Sequence, residues 1–265
     1  MSAPAAKSIL LSAVSAAQRA LRPLRLRMSR RVAGHRIYFD PATDVGIQLL
    51  VTGRFEAEAI AQCARFIRPD GAVIDVGANI GVHTLHYASY APDGAVFALE
   101  PARATFALLL RNVRDIANVI PLNLALADST GLRRFLMAVD DAHSGLKDTG
   151  RKRIRREEWV AGFTGDELLI PLLGKRRVDL VKIDVEGFET EVLAGMRQLI
   201  LAQQPVIFCE VFGGHSSNPD PAATVRFCVS LGYAPHVLKG GRLEPAQVHD
   251  DRFYHYFFIP QERSD

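Results

Sequence analysis

The chain has 265 residues, 48% hydrophobic and 23% charged, with a formal net charge of +3. These values suit one large domain, or a domain with an extension, and exclude a disordered chain. Cys63, Cys209 and Cys228 are too few and too scattered for a disulfide framework or a metal spacing, which favours a reducing, cytoplasmic setting.

The positive charge is concentrated at one end. Residues 1–39 hold eight of the 32 basic residues and no acid, so the remainder carries 24 bases against 29 acids and is net −5. No run reaches the roughly eighteen uninterrupted apolar residues of a membrane span. "KSILLSAVSAAQ" loosely resembles a signal peptide. Leu10, Val14, Ala17, Leu21, Leu24 and Met28 share a helical face, interrupted at Pro23, with arginines elsewhere. Residues 1–33 therefore read as a basic amphipathic arm, which packs on the domain or a partner subunit, or lies on an anionic membrane surface.

The domain is expected over 34–265. "HRIYFD" and "IQLLVT" read as short strands of a hairpin. Phe55, Ala59, Ile60, Cys63, Phe66 and Ile67 recur at helical spacing over 55–68. "AVIDV" follows as a strand apolar enough to be buried on both faces, the mark of a parallel sheet. A helix over 81–90, the strand "AVFALE", a helix around Phe106–Val113 and the strands "NVIPLNLAL" and "GLRRFLMAV" come next. Residues 140–163 are polar and basic and read as a long loop. "VDLVKIDV" is a buried strand, and Phe188, Val192, Met196, Leu199 and Ile200 mark its helix. "PVIFCEVF", a helix near 221–231 and strands near 233–238 and 253–259 complete the chain. This alternation predicts an α/β fold: an open, mostly parallel sheet with helices on both faces.

Ligands in such sheets sit at the carboxyl ends of the strands. Asp75, Glu100 and Asp184 end three strands and Glu210 lies near the end of a fourth, so four acids should converge on one crevice. The loop "DVGANIG" departs from the dinucleotide fingerprint, with Asn79 in place of the middle glycine and a shorter last spacing. Gly77 permits close backbone approach, Asn79 tolerates a left-handed turn, and Gly81 lets the next helix pack. Asp75 would repel a pyrophosphate and suits a cationic ligand such as S-adenosylmethionine. Glu100 is placed to accept hydrogen bonds from a ribose diol.

"AVIDVGANIGVHT", "VFALEP", "NVIPLNLALADSTG" and "VDLVKIDVEGFETEVLAGMRQLI" with "PVIFCE" resemble the FkbM family of S-adenosylmethionine-dependent methyltransferases over about 55–212. The resemblance implies a seven-stranded, Rossmann-like class I methyltransferase sheet and methyl transfer to a hydroxyl of a sugar or natural-product scaffold. It also implies roles by position. Glu56 matches the acid before the nucleotide loop; Asp75, Gly77, Asn79 and Gly81 match the loop; Glu100 matches the ribose acid. Ala125 and Leu126 fall beside adenine. Asp166 matches the acid of a Ser-Leu-Asp element in which Gly165 replaces Leu. Lys182, Asp184, Glu186 and Gly187 match the second block.

Methyl transfer needs positioning of the acceptor and removal of its proton. Asp184 and Glu186 are the candidate bases, sharing a proton or holding a divalent cation, with Lys182 orienting one of them. Glu210 and the loop residue His215 are further candidates, and His143-Ser144-Gly145 could border cofactor or acceptor. His83 and His86 read as packing or surface groups, Glu189 and Glu191 as solvated first-turn acids, and Trp159 as a cover for the insert. Five of the six residues 151–156 are basic, which suits a solvated loop or capture of an anionic acceptor. A net acidic domain with no RNA-recognition signature argues against nucleic acid. A nicotinamide oxidoreductase and a cofactor-binding scaffold without catalysis are the rival readings.

Overall fold

The computed structural model describes residues 27–148, 150, 152–212 and 220–261. Most of the basic arm, Arg151 and His215 lie outside the described residues. β1 (Met28–Val32) and β2 (His35–Phe39) form an antiparallel hairpin in which Met28 pairs with Phe39. Ala33 and Gly34 both adopt positive φ, 48° and 81°, which matches the right-handed twist of the flanking strands. Met28, assigned above to the helical face of the arm, is thus the start of a strand.

"IQLLVT" is a helix and not the second strand of the hairpin. α1 (Asp44–Thr52) starts where Thr43 Oγ1 accepts the Gly46 N–H at 3.0 Å and stops at Gly53 in a left-handed conformation. α2 (Ala57–Ala64) follows, with Glu56 in the left-handed region immediately before it.

The main sheet is built from β3 (Ala72–Val76), β4 (Ala95–Leu99), β5 (Val119–Leu122), β9 (Val178–Ile183) and β10 (Val206–Glu210), all parallel. β11 (Tyr233–Lys239), β12 (Arg242–Pro245) and β13 (His255–Pro260) complete it in the order β12-β11-β13-β10-β9-β3-β4-β5. β13 runs antiparallel to both neighbours. Seven of these strands are those expected; β12 extends the edge as a hairpin on β11.

Every residue of β3, β4 and β9 is buried, because helices cover both faces. Ala72, Ile74 and Val76 face one core layer with α5 (Gly165–Leu173), α6 (Glu189–Gly195), α7 (Arg197–Gln203) and α8 (Ala222–Ser230). Val73, Val96 and Ala98 face the other with α1, α2, α3 (Val82–Tyr90) and α4 (Arg103–Val113). Each buried Val, Leu or Phe contributes about 1.5–3 kcal/mol. The expected helix spanning Phe188 to Ile200 is two helices that meet at Met196, whose ψ of 12° breaks the first.

"NVIPLNLAL" and "GLRRFLMAV" do not continue the main sheet. The first divides into β5 and β6 (Ala125–Leu126); the second is β7 (Gly131–Ala138). Residues 140–163 are not a loop throughout, since β8 (Ile154–Phe163) lies between β6 and β7 in a separate three-stranded sheet. Its inner face packs Phe135, Met137 and Val160 against Ala102 and Ala125. Trp159 is 70% exposed on the outer face and covers nothing.

Candidate active site

The carboxyl ends of β10, β9, β3 and β4 lie side by side, with the small sheet standing over one end of them. Two connected spaces open there. A narrow cleft of about 50 Å³ is lined by Glu100, Pro101, Leu124, Ala125, Leu126, Phe135 and Leu146. A wider chamber of about 530 Å³ is lined by Asp44, Phe55, Glu56, His143, Glu210, Phe212 and Tyr254. Gly77, Asn79, Ala142, Asp184 and Glu186 border both.

The loop after β3 makes this junction. Gly77 has φ +76°, and a Cβ there would stand 1.9 Å from the Asp184 carbonyl oxygen. Only glycine lets β3 and the end of β9 approach so closely. Asn79 takes φ +50°, and its Oδ1 accepts the Ile80 N–H at 2.7 Å. Gly81 packs on α4, where a Cβ would meet Leu109 at 2.8 Å.

Glu100 is fixed by this loop. Its Oε2 accepts the Asn79 N–H at 3.0 Å and its Oε1 accepts the Ala102 N–H at 2.8 Å. A carboxylate oxygen accepts more than one hydrogen bond, so a ligand hydroxyl can share these oxygens with the two amides. A bidentate acid at the mouth, apolar walls and the backbone of β6 fit a nucleoside.

Of the other strand-end acids, Asp184 and Glu210 line the chamber together, but Asp75 does not join them. Asp75 is fully buried beneath the loop and lines neither space. Its Oδ2 accepts the Thr84 hydroxyl at 2.6 Å, and Oδ1 pairs with Lys182 Nζ at 3.4 Å. The cation that Asp75 serves in this structure is therefore Lys182. Lys182 Nζ also donates to the Gly77 carbonyl at 2.7 Å and lies 3.4 Å from Asp184 Oδ2. Burial alone would lower the Lys182 pKa, but Asp184, Asp75, Glu56 and Glu210 outweigh it and hold the ammonium charged.

Asp184 stands at the junction, in a side-chain hydrogen bond with Glu210. Burial first, then the Asp184, Glu56 and Glu186 carboxylates, push Glu210 well above the usual carboxylate range. A carboxyl shifted in that direction tends to keep its proton, which argues against Glu210 as the base. Glu186, in a left-handed conformation with φ 56°, turns away to His143, whose Nδ1 lies 3.1 Å from Oε1. His143 Nε2 is 2.8 Å from Asp44 Oδ2, and Lys152 Nζ lies 3.4 Å from the same oxygen. Asp184 and Glu186 thus belong to separate networks. Asp140, behind Asp44, is raised to about 6 by burial and by the Asp44 charge.

Glu56 lines the chamber and not the narrow cleft. Its Oε2 is 3.1 Å from His83 Nε2 and its Oε1 3.6 Å from His255 Nε2. These imidazoles hold its carboxyl below the carboxylate range in spite of burial, which acts the other way. His83 is therefore more than packing. Glu189, expected to be solvated, is 3% exposed and receives the Gly187 N–H at 2.8 Å. Asp166 accepts the Gln198 and Leu199 N–H groups at 3.0 and 2.9 Å and so caps α7, away from both spaces.

Ala125 and Leu126 line the cleft as expected, and Ser144 borders it. Asp44, Phe55, Phe212, Tyr254 and His255 were not picked out as site residues from the sequence, and Lys152 only as one of the basic run. They come from four separate segments and share no spacing that marks them. His143 was singled out only as a border residue. Of the basic run, Lys152 reaches the chamber, whereas Arg153, Arg155 and Arg156 are exposed.

The family model of the Methyltransferase FkbM domain matches residues 75–235. The hexuronic acid methyltransferase AglP of Haloferax volcanii is 30% identical over 191 residues, covering 69% of this chain and 74% of that protein. The 31-O-demethyl-FK506 methyltransferase FkbM of Streptomyces tacrolimicus is 31% identical over 159 residues, 49% of this chain and 61% of that protein. The AMB antimetabolite synthetase AmbE of Pseudomonas aeruginosa is 29% identical over 196 residues, and the chain spans only 9% of its length. Among solved structures, the methyltransferase FkbM from Methylobacillus flagellatus KT aligns with TM-score 0.47 at 13% identity, over 72% of this chain and 44% of that one. The motif loop, the strand order and the family match agree: the chain belongs to the FkbM family of S-adenosylmethionine-dependent methyltransferases.

Proposed function

We propose that the narrow cleft holds the adenosine of S-adenosylmethionine and that the chamber receives a hydroxylated acceptor, a sugar or a natural-product scaffold, for O-methylation. When bound, the cofactor supplies a methyl group on positively charged sulfur. Glu100 binds the ribose diol, and the backbone of Ala125 and Leu126 borders the base. Gly77 and Asn79 guide the rest of the molecule toward the chamber, whose carboxylates favour its positive charges.

The observation that carries this reading is the position of Asp184, which, with Glu186, borders both cleft and chamber and, unlike Glu186, lies beside Lys182. Asp184 accepts the proton of the acceptor hydroxyl as the C–O bond forms and the S–CH₃ bond breaks. S-adenosylhomocysteine and a methyl ether leave. Lys182, itself held by Asp75, positions Asp184. The Asp44–His143–Glu186 chain fixes the opposite wall, and Phe55, Phe212 and Tyr254 give the acceptor apolar faces to lie against. In this reading Asp184 and Glu186 are not the joint seat of a divalent cation.

The names of AglP and of the FK506 methyltransferase support a sugar or natural-product acceptor. No described helix is long and apolar enough to cross a membrane. We place the reaction in the cytoplasm, with residues 1–33 as the segment that would contact a membrane face or a partner subunit. The test uses methyl-labelled cofactor and extracts fractionated into glycans, lipids and small molecules. Asp184→Asn should bind cofactor normally and lose about 100- to 10,000-fold in transfer rate, the worth of a general base. Transfer at the wild-type rate would remove Asp184 from that role.

A further inference from the structure

Three donor side chains from distant segments meet beside the Asp184–Glu210 pair, where Glu56 and Glu210 line the chamber and His255, with Glu56, lines a neighbouring cavity of about 520 Å³. Glu56 precedes α2, Glu210 ends β10 and His255 opens β13. Glu210 and His255 are direct cross-strand partners in the antiparallel β10–β13 ladder, so their side chains leave the sheet on the same face. One oxygen from each carboxylate and one imidazole nitrogen all lie within 4.8 Å of one another. This spacing is close to that of ligands around one small cation.

Two features separate this cluster from a group of surface acids. His255 Nε2 is sealed from solvent and makes no hydrogen bond, although Glu56 Oε1 is 3.6 Å away. A buried imidazole nitrogen whose one polar contact, to Glu56, is too long for a hydrogen bond is costly unless something occupies the space between them. Phe208 and Tyr254 fix the His255 ring by edge contacts, with centroids at 5.4 and 4.5 Å. The second feature is outer support. Glu56 Oε2 is bound by His83 Nε2 at 3.1 Å, and His83 Nδ1 in turn meets the Tyr87 hydroxyl at 2.9 Å. Ligating groups are typically held by such partners.

We propose that Glu56, Glu210 and His255 bind one divalent first-row transition cation at the wall of the acceptor chamber. One nitrogen and two oxygens suit Mn²⁺, Fe²⁺, Co²⁺ or Zn²⁺ better than Mg²⁺ or Ca²⁺, which prefer oxygen alone. Three protein ligands leave coordination positions open, and two of the three, Glu56 and Glu210, border the chamber. On the methyl-transfer reading, on which this role rests, an acceptor hydroxyl taking one of those positions would lose its proton more easily to Asp184. Binding of the cation would release the Glu210 proton, and Asp184 remains the proton acceptor.

The untagged full chain, stripped with a chelator, is titrated with Co²⁺ and followed by its visible ligand-field bands. One equivalent should bind, with the intensity of a low-symmetry nitrogen–oxygen site. Glu56→Gln, His255→Ala and His255→Gln should each weaken binding by at least about tenfold, by analogy with the loss of a supporting ligand contact. S-adenosylhomocysteine binding, measured by calorimetry, should persist in both His255 variants and shows that they fold. The proposal is overturned if wild-type bands do not exceed those of the folded His255 variant. It is also overturned if S-adenosylhomocysteine displaces cobalt one for one, since the cluster would then hold the cofactor's ammonium. Either result leaves methyl transfer intact, whereas failure of S-adenosylmethionine to bind would strike that reading and not the cobalt result.

Discussion

Glu189 is a buried acid directly behind the loop that carries Asp184 and Glu186. Burial raises its pKa from 4.5 to about 7; the Gly187 N–H opposes the shift, and the Asp184 and Glu186 charges add to it. The folded state therefore holds this proton more tightly than the unfolded chain does. At pH 4 both states are protonated and the group costs nothing. As pH rises past 4.5 the unfolded chain ionises first, so stability falls, and the loss is complete once pH exceeds the folded value of about 7. That gap corresponds to roughly 3 kcal/mol, at about 1.4 kcal/mol per tenfold change. Glu189→Gln cannot ionise, and its amide oxygen can still accept the Gly187 N–H. The variant should match wild type at pH 4 and be more stable by roughly 3 kcal/mol at pH 8, or about 5–10 °C in Tm for a domain of this size. Urea unfolding of both proteins across this range reads the difference, in which all other titrations cancel. A difference that stays constant from pH 4 to pH 8 would refute the reasoning, because Glu189 would then be ionised in the folded state at no cost.

Gly77→Ala drives a methyl group into the Asp184 carbonyl at 1.9 Å and strains a left-handed φ; calorimetry should show S-adenosylhomocysteine binding abolished. Glu100→Ala removes the acceptor for two backbone N–H groups and for the ribose diol, and should weaken cofactor binding by about 10- to 100-fold, at roughly 1.5–3 kcal/mol for hydrogen bonds to a charged group. Lys182→Met leaves Asp75 buried without its counter-ion and should cost about 3–5 kcal/mol in urea unfolding. The double variant Lys182→Met with Asp75→Leu should recover part of that loss.

The parts of this protein that could be read from sequence are those where one local pattern has one physical solution. "AVIDV" and "VDLVKIDV" can only be buried parallel strands, and the acid that ends "AVFALE" stands where a ribose acid must. "IQLLVT" was ambiguous as a short apolar run. Its resolution lay just outside it, in Thr43-Asp44 as a helix start and Gly53 as a stop. "GLRRFLMAV" was correctly a strand, but nothing local says which sheet a strand joins. Asp75 was expected to face a cationic ligand, and the cation it meets is Lys182, one strand away in space and 107 positions along the chain. Asp44 and His255 were not legible as site residues, and His143 only as a border residue, because their partners Glu186 and Glu56 are reached only through the fold.

The central claim is that a cleft closed by Glu100 opens past Gly77 and Asn79 into an acidic chamber, and so holds a sulfonium donor. Titration calorimetry with S-adenosylmethionine, S-adenosylhomocysteine and NAD⁺ tests it most directly. Both sulfur nucleotides should bind, at ~1 μM to 1 mM as is ordinary for enzyme ligands, and NAD⁺ should give no heat. Tight binding of NAD⁺ with none of either sulfur nucleotide would contradict it.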